Sequence, residues 1–200
     1  MIANEKETVR ALKQAWKSGY EIVPNGETIA IYAGYWALET TVRELPLAVS
    51  QELVEHYGGI PVAPMFVQKG RSAQTMFGAE EISRKQDLEE LQDNGKYMKR
   101  IPVTFRGKWD LFVTSEGEWM GIDREYLDIL DRENDCNVLM TPAGMALFSM
   151  ADERLTIAPG KFGVEDRVKL QKIAEMYMAQ KAHLEEVPEN LCLFEEMERE

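Results

Sequence analysis

The chain has 200 residues, 44% apolar and 29% charged, with 35 acidic against 23 basic side chains and a formal net charge of −12. That length and apolar content support a buried core without staples and exclude wholesale disorder. The negative balance disfavours nucleic acid and anionic membrane as general partners. Two cysteines, Cys136 and Cys192, are too few for a disulfide framework and read as reduced thiols. The opening "MIANEKETVRALKQ" lacks the apolar centre of a signal peptide. No stretch approaches the ~20 apolar residues of a membrane span, so a cytoplasmic location is expected.

In chain order, "NEKETVRALKQAWKSG" predicts a first helix. Asn4 caps it, Glu7 takes the capping-box position, Gly19 ends it, and Val9, Leu12 and Trp16 face the core. "YEIVPNGETIAIY" predicts a hairpin. A two-residue Asn25-Gly26 turn pairs Tyr20 with Ile31 and Ile22 with Ile29. A Pro24-Asn25-Gly26 turn with a bulge is the alternative register. "YWALETTVREL" and "LAVSQELVEHYGG" are expected as helices divided by Pro46, the second stopped by Gly58-Gly59. "IPVAPMFVQ" is expected as an edge strand because of its two prolines, and "KGRSAQTMFG" as a loop. "AEEISRKQDLEELQDNG" reads as a polar helix.

A second hairpin follows, in which Ile101, Val103 and Phe105 alternate, as do Trp109, Leu111 and Val113. A two-residue Arg106-Gly107 turn would set Val103 against Asp110. A three-residue Arg106-Gly107-Lys108 loop sets Phe105 against Trp109 and Ile101 against Val113, and is preferred because it keeps one face apolar. "SEGE" is a turn, "WMGI" a third strand, and "DREYLDILDREND" a short acidic helix capped by Asp123. In "NVLMTPAGMALFSM", Thr141-Pro142 offers a helix start. "RLTIAPG" reads as a strand. "VEDRVKLQKIAEMYMAQKAHLEEV" is the strongest helix, with Leu170, Ile173, Ala174, Tyr177 and Leu184 on one face. The expected fold class is therefore α+β: antiparallel hairpins at about 20–32 and 100–114, several helices, and a long C-terminal helix at about 164–185. One domain spans 1–200, with an acidic tail at about 186–200 and a second boundary available near 94–96.

Charge is distributed unevenly along this pattern. Residues 1–95 carry −5 and residues 110–200 carry −12, whereas "KYMKRIPVTFRGKW" (96–109) carries +5 and no acid. Basic side chains interleaved with aromatics suit phosphate and base contacts. Arg106, Lys108, Lys99 and Arg100 are thus candidate ligand-binding residues, with Lys69 and Arg71 as a second basic loop able to join them. The competing reading pairs the run internally with segment 110–135, which holds nine acids and two arginines.

Motifs for chemistry are weak. His56 and His183 stand far apart and no C-x-x-C or H-x-x-x-H occurs, so no metal and no cofactor is expected. Asp131, Glu133 and Asp135 alternate as in a calcium loop, but Cys136 replaces the turn glycine and Pro142 the bidentate glutamate. "APGKFG" lacks the remaining glycine and hydroxyl of a phosphate loop. The methionines and Trp36, Trp109 and Trp119 read as core filling.

Three functions remain in order of preference. The first is a non-catalytic cytosolic binding or regulatory protein acting through a protein partner. One version is an acidic inhibitor, of the phage or mobile-element kind, that imitates phosphate charge. The second is a nucleic-acid or phosphate-ligand binder using the basic hairpin 96–108. The third is an enzyme whose site assembles from scattered residues around Cys136, His56 or His183.

Overall fold

Period-two alternation of apolar side chains governs most of the computed structural model, which describes residues 2–75, 94–131, 136–151 and 153–185. Eleven strands form one sheet: β1 (Tyr20–Asn25), β2 (Thr28–Ala33), β3 (Trp36–Thr41), β4 (Met65–Val67), β5 (Gln74–Thr75), β6 (Lys96–Phe105), β7 (Trp109–Thr114), β8 (Trp119–Asp123), β9 (Asn137–Met140), β10 (Ala146–Met150) and β11 (Glu153–Ile157). Their order is β5-β4-β1-β2-β3-β11-β10-β9-β6-β7-β8, with antiparallel pairing. Four helices accompany them among the described residues: α1 (Glu5–Ser18), α2 (Leu47–Tyr57), α3 (Arg124–Leu127) and α4 (Val164–Glu185). The class is α+β, as the hairpin and helix patterns predict. Strands on both sides of residues 94–96 belong to the same sheet.

Local signals place the helices well. Asn4 Oδ1 accepts the Glu7 N–H at 3.2 Å, and Gly19 closes α1 at φ 99°. Gly58 ends α2 in the left-handed region, its N–H donating to the Val54 carbonyl. Asp123 caps α3 through Glu125 N–H, but α3 stops after one turn. The chain beyond it is taken by the N-terminal strap: Ala3 bridges Leu130, Asn4 N–H donates to Ile129 O, and Asp131 N–H donates to Ile2 O. The polar helix expected at 79–95 falls mostly outside the described residues.

Several expectations are corrected. "YWALETTVREL" is not a helix: Trp36, Leu38 and Thr40 are buried while Ala37, Glu39 and Thr41 are half-exposed, a strand alternation. A two-residue Gly34-Tyr35 turn then folds β3 onto β2, with Ala33 opposite Trp36. β4 is not at the edge, because β5 pairs its outer side; Pro61 and Pro64 precede the strand and leave the ladder intact. The expected loop 69–78 contains β5. Thr141-Pro142 starts a turn between β9 and β10, with Thr141 N–H donating to Met145 O and Gly144 at φ 74°.

Both hairpins keep their predicted faces; the first shifts its register throughout, and the second keeps its register at the turn and shifts only between Arg100 and Thr104. In the first, Asn25 pairs with Thr28 and Ile22 with Ile31, so the turn is Gly26-Glu27. Gly26 at φ 63° occupies the first central position, which a type II′ turn reserves for glycine. Pro24 tolerates this because β4 pairs β1 only as far as Ile22. In the second hairpin, Arg106 and Gly107 both have positive φ (53° and 66°), and Lys108 N–H donates to Phe105 O. Three residues, Arg106-Gly107-Lys108, separate the paired Phe105 and Trp109, the loop and the pairing that the preferred register expects. Farther along, the register slips at Pro102: Thr104 faces Asp110 but Arg100 faces Phe112. A proline that cannot donate to the ladder sits inside that irregularity.

One face of the sheet packs on α1 and α2 around Leu12, Ile22, Ile31, Leu53, Phe148 and Leu155, the main core. A smaller core lies on the opposite face of β6–β8, where Ile101, Leu111 and Val113 meet Leu170 and Ala174 of α4.

Candidate functional site

Strand alternation divides the basic run. Lys99 and Arg100 are adjacent on β6, so their side chains leave on opposite faces. Arg100 shares a face with Asp110 and forms an ion pair with it. Asp110 is fully buried and also accepts Thr104 Oγ1–H at 2.9 Å, with Arg124 Nε at 3.8 Å. Lys108 Nζ lies 2.9 Å from Asp123 Oδ2. Lys96 Nζ lies 2.7 Å from Glu116 and 2.8 Å from Glu118. Hydrogen bonds to these carboxylates hold the Lys96 and Lys108 ammonium groups above the ordinary lysine pKa. Arg106 reaches 60 residues ahead to Asp166, in the first turn of α4, at 2.7 Å. Four of the five cations therefore face carboxylates, three of them in segment 110–135. Lys99 is the fifth. It is exposed and has no carboxylate partner among the described residues. Lys69 and Arg71 lie on the β4–β5 turn, with six strands between β4 and β6; Lys69 Nζ sits 6.0 Å from the Trp16 ring. The structure does not bring this second basic loop to the hairpin.

The groups named for catalysis are held in other ways. His56 is buried, stacked on Trp16 with ring centroids 3.7 Å apart. Its Nδ1 lies 2.8 Å from the Tyr20 hydroxyl and its Nε2 3.0 Å from Glu52 Oε1, an approach too bent for a hydrogen bond. Lys13 Nζ takes the other Glu52 oxygen at 3.2 Å. Burial pushes the His56 pKa down, against the opposing pull of Glu52, and burial raises that of Tyr20. Cys136 packs half-buried at the margin of the main core. The side chain of His183 and all of Cys192 fall outside the described residues. Among the described residues no group of three or more His, Cys, Asp or Glu is placed to hold a metal ion. None of their helices is long and apolar enough to cross a membrane.

Two depressions flank α4. The larger, about 660 Å³, runs between the first half of α4 and the β8 edge of the sheet. Its floor is aromatic: Phe162 lies 5.1 Å from Trp109 and 5.8 Å from Trp119, centroid to centroid. Two glycines permit this closeness. A Cβ on Gly121 would stand 2.6 Å from Phe162, and one on Gly160 would stand 2.5 Å from Trp109. Trp119 Nε1–H donates to Gln171 Oε1 at 2.8 Å and fixes the wall. Arg167, Lys172 and Glu175 are its charged lining residues. The smaller depression, about 430 Å³, lies by the second half of α4 and includes Tyr97, Lys99, Ser115, Tyr177 and Lys181. Neither Cys136 nor His56 lines either one.

The sequence reading passed over the outer face of α4. Val164, Val168 and Met176 are 80%, 52% and 63% exposed. They recur at i, i+4 and i+12, spread over one broad side of the helix away from the buried Leu170 and Ala174, with Lys172 between Val168 and Met176. That spacing was available in the sequence, as a second apolar row beside the core-facing one.

No family model matches the chain, and no curated protein matches it. Solved structures that align with it are bacterial sliding clamps, the beta subunit of DNA polymerase III. The clamp from Pseudomonas aeruginosa bound to griselimycin is 12% identical over 82% of this chain and 66% of its own, with a TM-score of 0.36. A putative beta subunit from Eubacterium rectale gives 9%, 83%, 66% and 0.35. The Streptococcus pyogenes subunit gives 12%, 82%, 66% and 0.33. The chain thus spans just under two thirds of those proteins. A likeness this slight assigns it neither a family nor an activity.

Proposed function

We propose that the protein is a non-catalytic binding protein of the cytosol and acts through a protein partner, which docks on the outer face of α4 and the groove beside it. The row Val164, Val168 and Met176 carries this reading. Isolated apolar residues on a surface are ordinary, but these three share one side of α4, and Val168 also lines the aromatic groove. Arg167 and Lys172, which outnumber the one carboxylate (Glu175) in the lining, fit a partner segment that is acidic around an apolar anchor. The version in which the protein's own acids imitate phosphate charge gains less support. Asp110, Asp123, Asp166, Glu116 and Glu118 are already turned towards the basic run.

Affinity capture from a host lysate, comparing wild type with the Val168→Glu/Met176→Glu double variant, tests the reading. A defined protein captured by wild type should fall by roughly tenfold or more in the variant. Both positions are exposed, so the variant's thermal midpoint should stay close to that of wild type. Equal capture by the two forms would overturn the docking face.

A further inference from the structure

We propose that residues 186–200 of this chain dock in the aromatic groove beside the first half of α4, with Leu191, Leu193 and Phe194 as their anchor, so that a partner must displace them. The inference rests on the docking reading above and names what regulates that surface. The chemistry of the two sides matches. In "EVPENLCLFEEMERE" (186–200), the uncharged run Leu191 to Phe194 stands between Glu186 and Glu189 on one side and Glu195, Glu196 and Glu198 on the other. The groove offers the complement: Trp119, Phe162 and Val168 as apolar wall, with Arg167 and Lys172 against the one carboxylate of Glu175. An acidic segment is drawn to such a surface by charge and held by the desolvated anchor.

The chain is long enough to make this contact. α4 runs to Glu185, so Glu175 and Val168 lie about 15 Å and about 25 Å back along the helix at ~1.5 Å per residue. The nine residues from Glu186 to Phe194 extend to about 30 Å. That length covers the distance back to either lining residue. Pro188 lacks the N–H that a continuing helix would use, which disfavours carrying the chain straight on past α4. Tethering supplies the rest. At the roughly millimolar effective concentration of a short tether, a contact with an intrinsic Kd of about 0.1 mM fills the groove about nine times in ten and weakens a competing partner about tenfold.

Fluorescence anisotropy of a labelled synthetic peptide of residues 186–200, titrated with the full chain under reducing conditions, tests this. The receiving chains are wild type and the Leu193→Ser/Phe194→Ser variant, whose own anchor is disabled. The peptide should bind the variant and bind wild type roughly tenfold more weakly, because the tethered copy competes. Added salt should weaken binding. Arg167→Glu/Lys172→Glu, placed in the same variant, should cost the peptide tenfold or more at an unchanged thermal midpoint. Equal binding by wild type and the anchor variant, no binding by that variant up to about 1 mM, or binding undiminished by the charge reversal would overturn the proposal. Self-association of wild type that the anchor variant loses would place a second copy's segment in the groove and overturn the intramolecular contact. Lysate capture separates this from the docking reading. A partner should be captured more strongly by the anchor variant than by wild type. If capture still falls in Val168→Glu/Met176→Glu while the peptide binds nothing, the intramolecular contact alone is overturned. Equal capture by wild type and Val168→Glu/Met176→Glu removes the docking reading itself.

Discussion

Leu111 and Phe112 are neighbours on β7, yet they face different cores. Phe112 belongs to a cluster of twenty-five buried residues, among those described, that link α1, α2 and most of the sheet. Leu111 joins a cluster of five, with α4 as its cover. The first cluster draws on segments from Ile2 to Ile157 and includes the N-terminal strap. The second rests on one helix laid over three strands. The difference teaches where the molecule holds its stability and where it can spare surface. α4 buries one stripe and leaves an apolar row and both depressions on its other sides, whereas the main core spends its apolar side chains on itself. Local opening is expected to be cheapest where the buried cluster is smallest.

The strongest way to break this comparison is to truncate one side chain in each core. Phe148→Ala should cost about 3–5 kcal/mol, lowering the thermal midpoint by roughly 10 °C in a chain of this size. Leu170→Ala should cost about 2–3 kcal/mol, the low end for a buried leucine, since α4 can yield locally. Hydrogen exchange separates the two. In Leu170→Ala, amides of residues 164–181 should lose protection while those of α1 keep it. Loss of protection in α1 and α4 together would show that the cores unfold as one unit.

A smaller effect sharpens the same comparison on the two faces of β6. Arg100→Ala leaves the buried Asp110 with Thr104 and a distant Arg124, and should cost about 2 kcal/mol in denaturant unfolding. Lys99→Ala, one residue away, should stay within about 0.5 kcal/mol of wild type. Equal effects would show that the paired and unpaired cations are energetically alike.

The smallest effect is a pH dependence from His56. Its folded pKa lies below the ordinary histidine value because burial disfavours the charged ring, while Glu52 and Glu55 raise it and Lys13 lowers it. The folded state therefore binds the proton less readily than the unfolded chain. The contribution is present above the unfolded value of about 6.5 and is lost as pH falls through and below it. Urea unfolding of wild type and His56→Gln at pH 7.5 and 5.5 should show a steeper decline in wild type. Parallel declines would remove His56 as the cause.

Some of this architecture was legible in the chain because its signals are local. Asn4 and Gly19 bound α1, Gly58 ends α2, and Asp123 caps α3, each acting within four residues of its own position. The alternation of Ile101, Val103 and Phe105 with Trp109, Leu111 and Val113 fixed the faces of the second hairpin. The slip at Pro102 was not legible, since an irregular ladder depends on what both strands pack against. "WALETT" misled for a related reason. Its residues tolerate helix or strand, and the flanking partners β2 and β11 decided for strand.

The candidate site divides along the same line. The sequence by itself determined that a +5 run stands in an acidic chain and that its residues alternate between faces. Tertiary structure decided what each cation meets: Arg106 finds Asp166 and Lys96 finds Glu116 and Glu118, while Lys99 is turned towards a pocket shared with Lys181. Ion pairing acts over a few ångströms in space and is blind to separation along the chain, so only the packed strands and α4 could select those partners.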